Sequence, residues 1–190
     1  MGFDLSGMNP NISRPAPPLP KSFNNDNWSD KEQKMYDDYG DWEKENCGVY
    51  FRNNVWWWRP LWNFVTGVCD DILTEKDVEQ GSWNDGHKIS KTKAGKIAKR
   101  LYSMIEDGKV KEYEKMHTGH LNSLEQVDCD ICDATGKRQE PPKTGAGDVR
   151  CNGCSGTGRV DDWAKSYPFS EDNVREFANF CANSGGFRIC

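Results

Sequence analysis

Hydrophobic side chains recur at three- and four-residue intervals in several segments, which is the spacing that places them on one face of a helix. The first such stripe follows an S-x-x-E capping box that begins at Ser29. It comprises Met35, Tyr39 and Trp42. We therefore predict an amphipathic helix from this cap to about Glu45.

The segment at residues 50–73, YFRNNVWWWRPLWNFVTGVCDDIL, has the highest apolar density in the chain. Pro60 predicts the first turn of a helix, because proline is tolerated there and disfavoured further along. The buried stripe of this helix is predicted at Leu61, Trp62, Val65, Val68, Cys69 and Ile72. Three adjacent tryptophans cannot share one helix face, so some of them must point to other elements or to the surface. The main interpretation is a buried central helix with an aromatic anchor. The alternative is a partner or ligand pocket lined by Trp56, Trp57, Trp58 and Arg59.

Two further stripes predict helices with recognisable ends. Ser90 caps one whose buried positions are Ala94, Ile97, Ala98, Leu101 and Ile105, and Gly108 ends it in the usual C′ position. Residues 110–125 predict another helix. Ser170 begins the last one, with Val174, Phe177, Ala178 and Cys181 on one side.

Short strand patterns stand at both ends, GFDL at residues 2–5 and GFRIC at residues 186–190. If they pair, the termini meet and the cysteine segment is an insertion. The predicted fold is therefore α+β, mainly helical, with paired terminal strands and an inserted four-cysteine zinc hairpin. The main helical domain would comprise residues 1–125 and 163–190, with a Pro/Asn-rich linker or loop at 9–28. The zinc-binding insertion would be 126–162.

The composition and charge of the chain argue against several classes of function. The formal net charge is −5, which argues against broad, sequence-blind DNA binding. No apolar run approaches the roughly 18 to 20 residues of a membrane span. The N-terminus has neither a charged segment nor a long apolar one, so no secretion signal is predicted. A cytoplasmic protein is expected, in which eight cysteines favour metal ligation over disulfides.

Four of these cysteines form two C-x2-C pairs separated by eighteen residues, namely Cys129, Cys132, Cys151 and Cys154. A tetrahedral zinc site needs four such ligands, and this spacing is typical of one. The sequences CDATG and CSGTG let the chain reverse after each pair. We predict one structural Zn²⁺, because a closed four-sulfur site leaves no position for a catalytic water.

A second set of candidates is basic. The outer face of the helix at 90–107 and the cysteine segment together carry Lys91, Lys93, Lys96, Lys99, Arg100, Lys137, Arg138 and Arg159. These residues have two interpretations. The first is an ordinary solvated surface, and the second is a surface that contacts nucleic acid.

Nothing in the sequence predicts an active site. His87, in the polar stretch NDGHKIS, is interpreted as a loop or capping residue. No phosphate loop, nucleophile elbow or acid pair in a recognisable setting occurs. Catalysis would need a pocket combining His87 with the tryptophans at 56–58.

The paired CxxCxxTG and CxxCxGTG motifs resemble half of the cysteine-rich zinc domain of DnaJ-type co-chaperones. Ala134 stands where the first repeat of that pattern has a glycine, and no His-Pro-Asp tripeptide is present. The resemblance covers about thirty residues, and it implies a metal-bound fold without a chaperone cycle.

A broader resemblance is carried by GFDLSG, YFRNNVWWWRPLW, NDGHKISKTKAGKIAKRL, the CxxC pair and the C-terminal YPFSEDNVREFANFCANSGGFRIC. These segments look like a family of small proteins of tailed bacteriophages and prophages, with no established activity. The resemblance implies phage origin and the cytoplasm of an infected host. We expect an accessory protein that binds a host macromolecule or ligand, for example in counter-defence. The alternative is nucleic-acid binding through the zinc hairpin and the basic helix.

Overall fold

The computed structural model describes residues 2–20, 28–138 and 149–190. It has α+β architecture in which small antiparallel sheets accompany the helices. The chain divides into two compact units, one formed by residues 1–114 with 169–190 and the other by residues 115–168. No helix among the described residues is both long and apolar enough to cross a membrane.

The larger unit is built on a four-stranded sheet in the order β2-β1-β6-β3. Its strands are β1 (Gly2–Gly7), β2 (Tyr50–Asn54), β3 (His87–Ile89) and β6 (Phe187–Ile189). The predicted pairing of the terminal strands is observed, with Leu5 opposite Ile189 in an antiparallel register. Both side chains are completely buried in the hydrophobic core. Alternate residues of a strand point to the same face, so Phe3 and Leu5 face the core together.

Helices α1 (Asp30–Glu45), α2 (Val55–Val68), α3 (Glu75–Gln80), α4 (Lys91–Glu106) and α6 (Glu171–Asn183) belong to this unit. Helix α5 (Lys109–Ser123) crosses the boundary between the units at residue 115. The predicted caps are confirmed at Ser29, Ser90 and Ser170, whose side chains accept hydrogen bonds from backbone N–H groups of the first turn. Gly108 follows α4 with a φ of 71°, as a C′ glycine does.

The predicted start of α2 was wrong. The helix begins at Val55, five residues before Pro60, because the Asn54 side chain accepts hydrogen bonds from the N–H groups of Trp56 and Trp57 at 3.0 and 3.1 Å. This cap is strong enough to nucleate the helix earlier, and Pro60 then costs one interior hydrogen bond.

The tryptophans of α2 explain how a sparingly apolar chain fills its core. Trp58 is completely buried and stacks on Phe3 and Trp62, with ring centroids 5.2 and 5.3 Å apart. Buried indole N–H groups need acceptors. Trp58 donates to the Gly81 carbonyl at 2.9 Å, and Trp62 donates to the Val78 carbonyl at 3.1 Å. The two rings therefore also hold the end of α3 against α2.

The predicted Pro/Asn-rich linker at 9–28 is, where it is described, a mostly exposed loop that is hydrogen-bonded to the larger unit. The N–H of Asn11 donates to the Asn183 carbonyl at 2.8 Å, and Trp42 donates to the Arg14 carbonyl at 2.8 Å. Residues 21–27 of the predicted linker lie outside the described residues.

The smaller unit contains a two-stranded antiparallel sheet of β4 (Gln126–Asp128) and β5 (Arg159–Asp161), followed by a short 3₁₀ helix at Trp163–Ser166. Its buried cluster consists of four cysteines, with Val160 packed against them.

Candidate metal centre

The four predicted ligands converge. The sulfurs of Cys129, Cys132, Cys151 and Cys154 all lie within 4.8 Å of one another, and all four residues are buried. The Sγ atoms of Cys129 and Cys151 are 3.9 Å apart, and those of Cys132 and Cys154 are 3.7 Å apart. A disulfide would need a separation of about 2.05 Å, so the thiols are free.

The two C-x2-C turns are built alike. The N–H of Ala134 donates to the Cys129 carbonyl at 3.0 Å, and the N–H of Gly156 donates to the Cys151 carbonyl at 3.0 Å. The same correspondence holds for the threonines of the two turns. The Thr135 hydroxyl donates to the Cys132 carbonyl at 2.6 Å, and the Thr157 hydroxyl to the Cys154 carbonyl at 2.8 Å. Each turn is therefore closed by its own threonine.

The turns are also joined to each other reciprocally. The N–H of Cys129 donates to the Gly158 carbonyl at 2.9 Å, and the N–H of Cys151 donates to the Gly136 carbonyl at 2.9 Å. These bonds relate the halves by an approximate two-fold axis. As a result, two sulfur pairs that are 22 residues apart in the chain face one another.

Glycine is required where the turns meet. Gly136 and Gly158 have φ values of 71° and 78°. A Cβ added to Gly158 would lie 2.2 Å from the Ala134 carbonyl oxygen, and one added to Gly136 would lie 2.3 Å from the Gly156 carbonyl oxygen. These contacts involve backbone atoms, so a side chain could be admitted only if the turns separated.

The first turn contains the departure that the sequence already suggests. Ala134 has a φ of 60°, in the left-handed region that disfavours a Cβ, and its counterpart Gly156 has a φ of 88°. Alanine therefore adopts the conformation that glycine adopts in the second turn, at a steric cost.

The surroundings of the site shift the pKa values of Cys154 and Cys132 in opposite directions. The N–H of Gly158 donates to the Cys154 sulfur at 3.2 Å. Burial acts to raise the pKa of Cys154, but the backbone N–H groups of Gly158 and Gly156 outweigh it and lower this pKa to about 6. Burial raises the pKa of Cys132 to about 12. Four adjacent thiolates repel one another, and a divalent cation is the natural means of keeping all of them ionised.

The spacing fits a tetrahedral metal–sulfur centre. With metal–sulfur bonds of about 2.3 Å, the edge of a regular tetrahedron is about 3.8 Å. The two facing sulfur pairs, at 3.7 and 3.9 Å, match that edge closely. These four residues could therefore hold a metal ion with little rearrangement.

The basic residues predicted as a nucleic-acid surface are not equally exposed. Lys93 forms an ion pair with the buried Asp77, and Arg100 bonds Asp71 at 2.9 Å. Exposed side chains that form no salt bridge with the described residues are Lys91, Lys96 and Lys99. Ion pairs therefore neutralise two of the five positive charges that were predicted on the basic face of α4, those of Lys93 and Arg100.

The basic residues of the cysteine segment are similarly engaged. Arg159 pairs with Asp128 at 2.5 Å across the β4–β5 sheet, and Arg138 donates to the Asn152 side chain. Lys137 is exposed and forms a backbone bridge with Arg150. Residues 115–168 contain seven Lys and Arg against eight Asp and Glu, so the unit as a whole is not basic.

The predicted tryptophan pocket is divided between core and surface. Trp58 is completely buried and cannot line a surface pocket, because its ring is stacked between two other core rings. Trp56 and Trp57 are half-buried and Arg59 is exposed. His87 bonds Asp77 of α3.

His87 was predicted in a turn and lies instead in β3. Its Nε2 is 2.9 Å from the Asp77 carboxylate, which also pairs with Lys93 and accepts the Thr74 cap hydrogen bonds. Burial acts to raise the pKa of Asp77, and these hydrogen bonds more than offset it, so the pKa is held well below its usual range. Sequence reasoning missed this buried cluster. The available signal was the T-x-x-D capping box at Thr74.

Comparison of the chain with protein-family models, curated proteins and solved structures returns no match. The function of the chain is therefore inferred from the metal centre and the residues around it.

Proposed function

We propose that residues 115–168 form a zinc-dependent binding unit, with one structural Zn²⁺ held by the four cysteines as the centre of a rigid hairpin. The convergence of four buried sulfurs within 4.8 Å of one another carries this proposal. Zinc suits a closed thiolate site, since four sulfurs satisfy its coordination and leave no open position for chemistry. Iron is the other metal that favours tetrahedral sulfur.

We further propose that the unit docks on a protein of the host bacterium, as a phage-encoded accessory protein would in counter-defence. Support comes from large apolar side chains that stand exposed on this small unit. They are Met116, Val127, Ile131, Val149 and Trp163. With a small core of its own, such a unit depends on the metal for its order, and a rigid unit presents apolar contacts at lower entropic cost.

Charge favours a protein partner over nucleic acid. A zinc ion with four thiolates carries a formal charge of −2, which adds to a segment that is not basic. Phosphate binding depends on cations facing the partner, and ion pairs already engage Lys93, Arg100 and Arg159.

Metal content tests the first part of the proposal. Purified protein should contain one zinc per chain by elemental analysis, and Cys154→Ser should lose most of it. Cys190→Ser is the matched control, because Cys190 is exposed and outside the cluster. A Cys154→Ser protein that keeps its zinc, or a wild-type protein that binds no metal, contradicts the assignment.

Affinity capture from an infected host lysate tests the second part. One host protein should be recovered in stoichiometric amount by the wild type and by Cys190→Ser. Ile131→Asp should lose it, because a charge would replace an apolar side chain that is 60% exposed. Recovery of nucleic acid alone, at low salt, would favour the basic surface instead.

A further inference from the structure

The segment Ser13–Pro20 has the sequence SRPAPPLP, and its first two residues are hydrogen-bonded at the C-terminal end of α1. The Trp42 indole N–H donates to the Arg14 carbonyl at 2.8 Å. The Arg14 guanidinium donates to the Glu45 carboxylate through Nε and Nη2, at 3.1 and 3.0 Å. Backbone and side chain of one residue are thus bound by two side chains that lie one turn apart on the helix.

A buried amide fixes the start of the segment. Asn46 is 1% exposed, and its Oδ1 accepts hydrogen bonds from the Ser13 N–H at 2.7 Å and the Ser13 hydroxyl at 3.2 Å. Its Nδ2 donates to the Trp42 carbonyl at 2.8 Å. The amide is therefore fully engaged between the segment and the helix, and it aligns the segment beside Trp42.

The conformation of the segment follows from its prolines. Each proline fixes its own φ and restricts the preceding residue to extended backbone, so residues 14–20 favour a polyproline II helix. Such a helix has three residues per turn, which places Pro17 and Pro20 on one side, and the chain bends just before them at Ser13 and Arg14. Pro20 is buried and Pro17 half-buried, whereas Pro15 and Pro18 are exposed. Among the four prolines, burial thus follows the three-residue period, whereas Arg14 is exposed and Leu19 is half-buried.

We propose that the C-terminal end of α1, formed by Trp42 and Glu45 with the following Asn46, is a polyproline-binding site, and that the chain fills it with its own residues 13–20. The ligand class is an extended Arg-x-x-Pro-x-x-Pro segment. Recognition of such segments combines an aromatic groove with polar groups that bind the exposed carbonyls, and a carboxylate selects the arginine. Here Trp42 supplies an aromatic ring and the donor to the Arg14 carbonyl, and Glu45 supplies the carboxylate. This site lies in residues 1–114 and does not depend on the proposed zinc unit.

The consequence is competition. A proline-rich segment of a partner protein can occupy the site only after the chain's own segment leaves, and tethering gives that segment an effective concentration on the order of millimolar. A triple variant, Arg14→Ala with Pro17→Ser and Pro20→Ser, weakens the internal ligand and leaves the α1 side chains intact.

A synthetic SRPAPPLP peptide and NMR of the Trp42 indole N–H test the proposal. The peptide should shift this resonance in the triple variant and bind at least tenfold more tightly than to the wild type, whose site is filled. Trp42→Phe in the triple background should lose at least tenfold in affinity, because it removes the donor and keeps a ring. A peptide with both corresponding prolines replaced by alanine controls for nonspecific binding.

Equal affinity of wild type and triple variant would place the peptide elsewhere and overturn the proposal. So would the absence of binding to a triple variant whose thermal unfolding matches the wild type. If the triple variant does not fold, Arg14→Glu alone serves. It repels Glu45 and leaves the buried Pro20 in place, so it should bind the peptide more tightly than the wild type does.

Discussion

Replacing Ala134 with glycine should strengthen metal binding. Ala134 has a φ of 60°, and the left-handed conformation costs a residue with a Cβ roughly 1–2 kcal/mol. Glycine removes that cost but adds about 0.4–1 kcal/mol of unfolded-state entropy. The net gain is about 0.5–1 kcal/mol, or about two- to fivefold in affinity, since each 1.4 kcal/mol corresponds to tenfold.

Competition with a chromophoric zinc chelator at neutral pH measures this effect, because ordering of the unit and metal binding form one equilibrium. The matched control is Gly156→Ala, at the equivalent position of the second turn, where φ is 88°. Its new Cβ would lie 2.7 Å from the Cγ of Arg150, a flexible side chain that can move. Metal binding should therefore weaken by about the same factor. If Ala134→Gly weakens binding, or Gly156→Ala has no effect, the two-fold relation between the turns does not govern the site.

Three further outcomes are expected in the larger unit. Gly81→Ala should lower the free energy of unfolding by about 2 kcal/mol, since its Cβ would lie 2.1 Å from a ring carbon of Trp62; an unchanged melting temperature refutes this close approach. Asp77→Asn should cost about 3 kcal/mol in urea denaturation by leaving Lys93 without its buried partner. The pKa of Asp77 is lowered in the folded state, so its contribution is complete above the unfolded pKa of about 3.9 and is lost as the pH falls below it. Acid titrations of stability should therefore show a smaller loss in Asp77→Asn than in the wild type.

Local signals in the sequence predicted the helices well. The caps at Ser29, Ser90 and Ser170 and the C′ glycine at 108 act within a few residues of the chain, and each is found where it was expected. The start of α2 was misplaced because proline and asparagine gave competing signals there. The side-chain cap at Asn54 prevailed, since two backbone N–H groups gain an acceptor while proline loses one bond.

The pairing of the terminal strands was predicted, but the side-chain partners that the fold brings together from distant segments were not. The T-x-x-D box at Thr74 marks a helix start, but only the fold brings His87 and Lys93 to the same carboxylate. Likewise, the three consecutive tryptophans at 56–58 must point in different directions on a helix, but the sequence does not indicate which ring is buried. Trp58 is the buried one because Phe3, Trp62 and the Gly81 carbonyl surround it, and only Trp62 comes from the same helix.

The sequence by itself determined that the cysteines would act as two C-x2-C turns, because two thiols three residues apart and followed by a tight turn converge locally. The spacing of the two pairs also predicted that they would share one metal ion, and the tertiary structure decided how the two turns face each other. That relation depends on the reciprocal hydrogen bonds from Cys129 to Gly158 and from Cys151 to Gly136, which join residues from opposite ends of the segment. It is the close backbone approach at these glycines that brings the four sulfurs within 4.8 Å of one another.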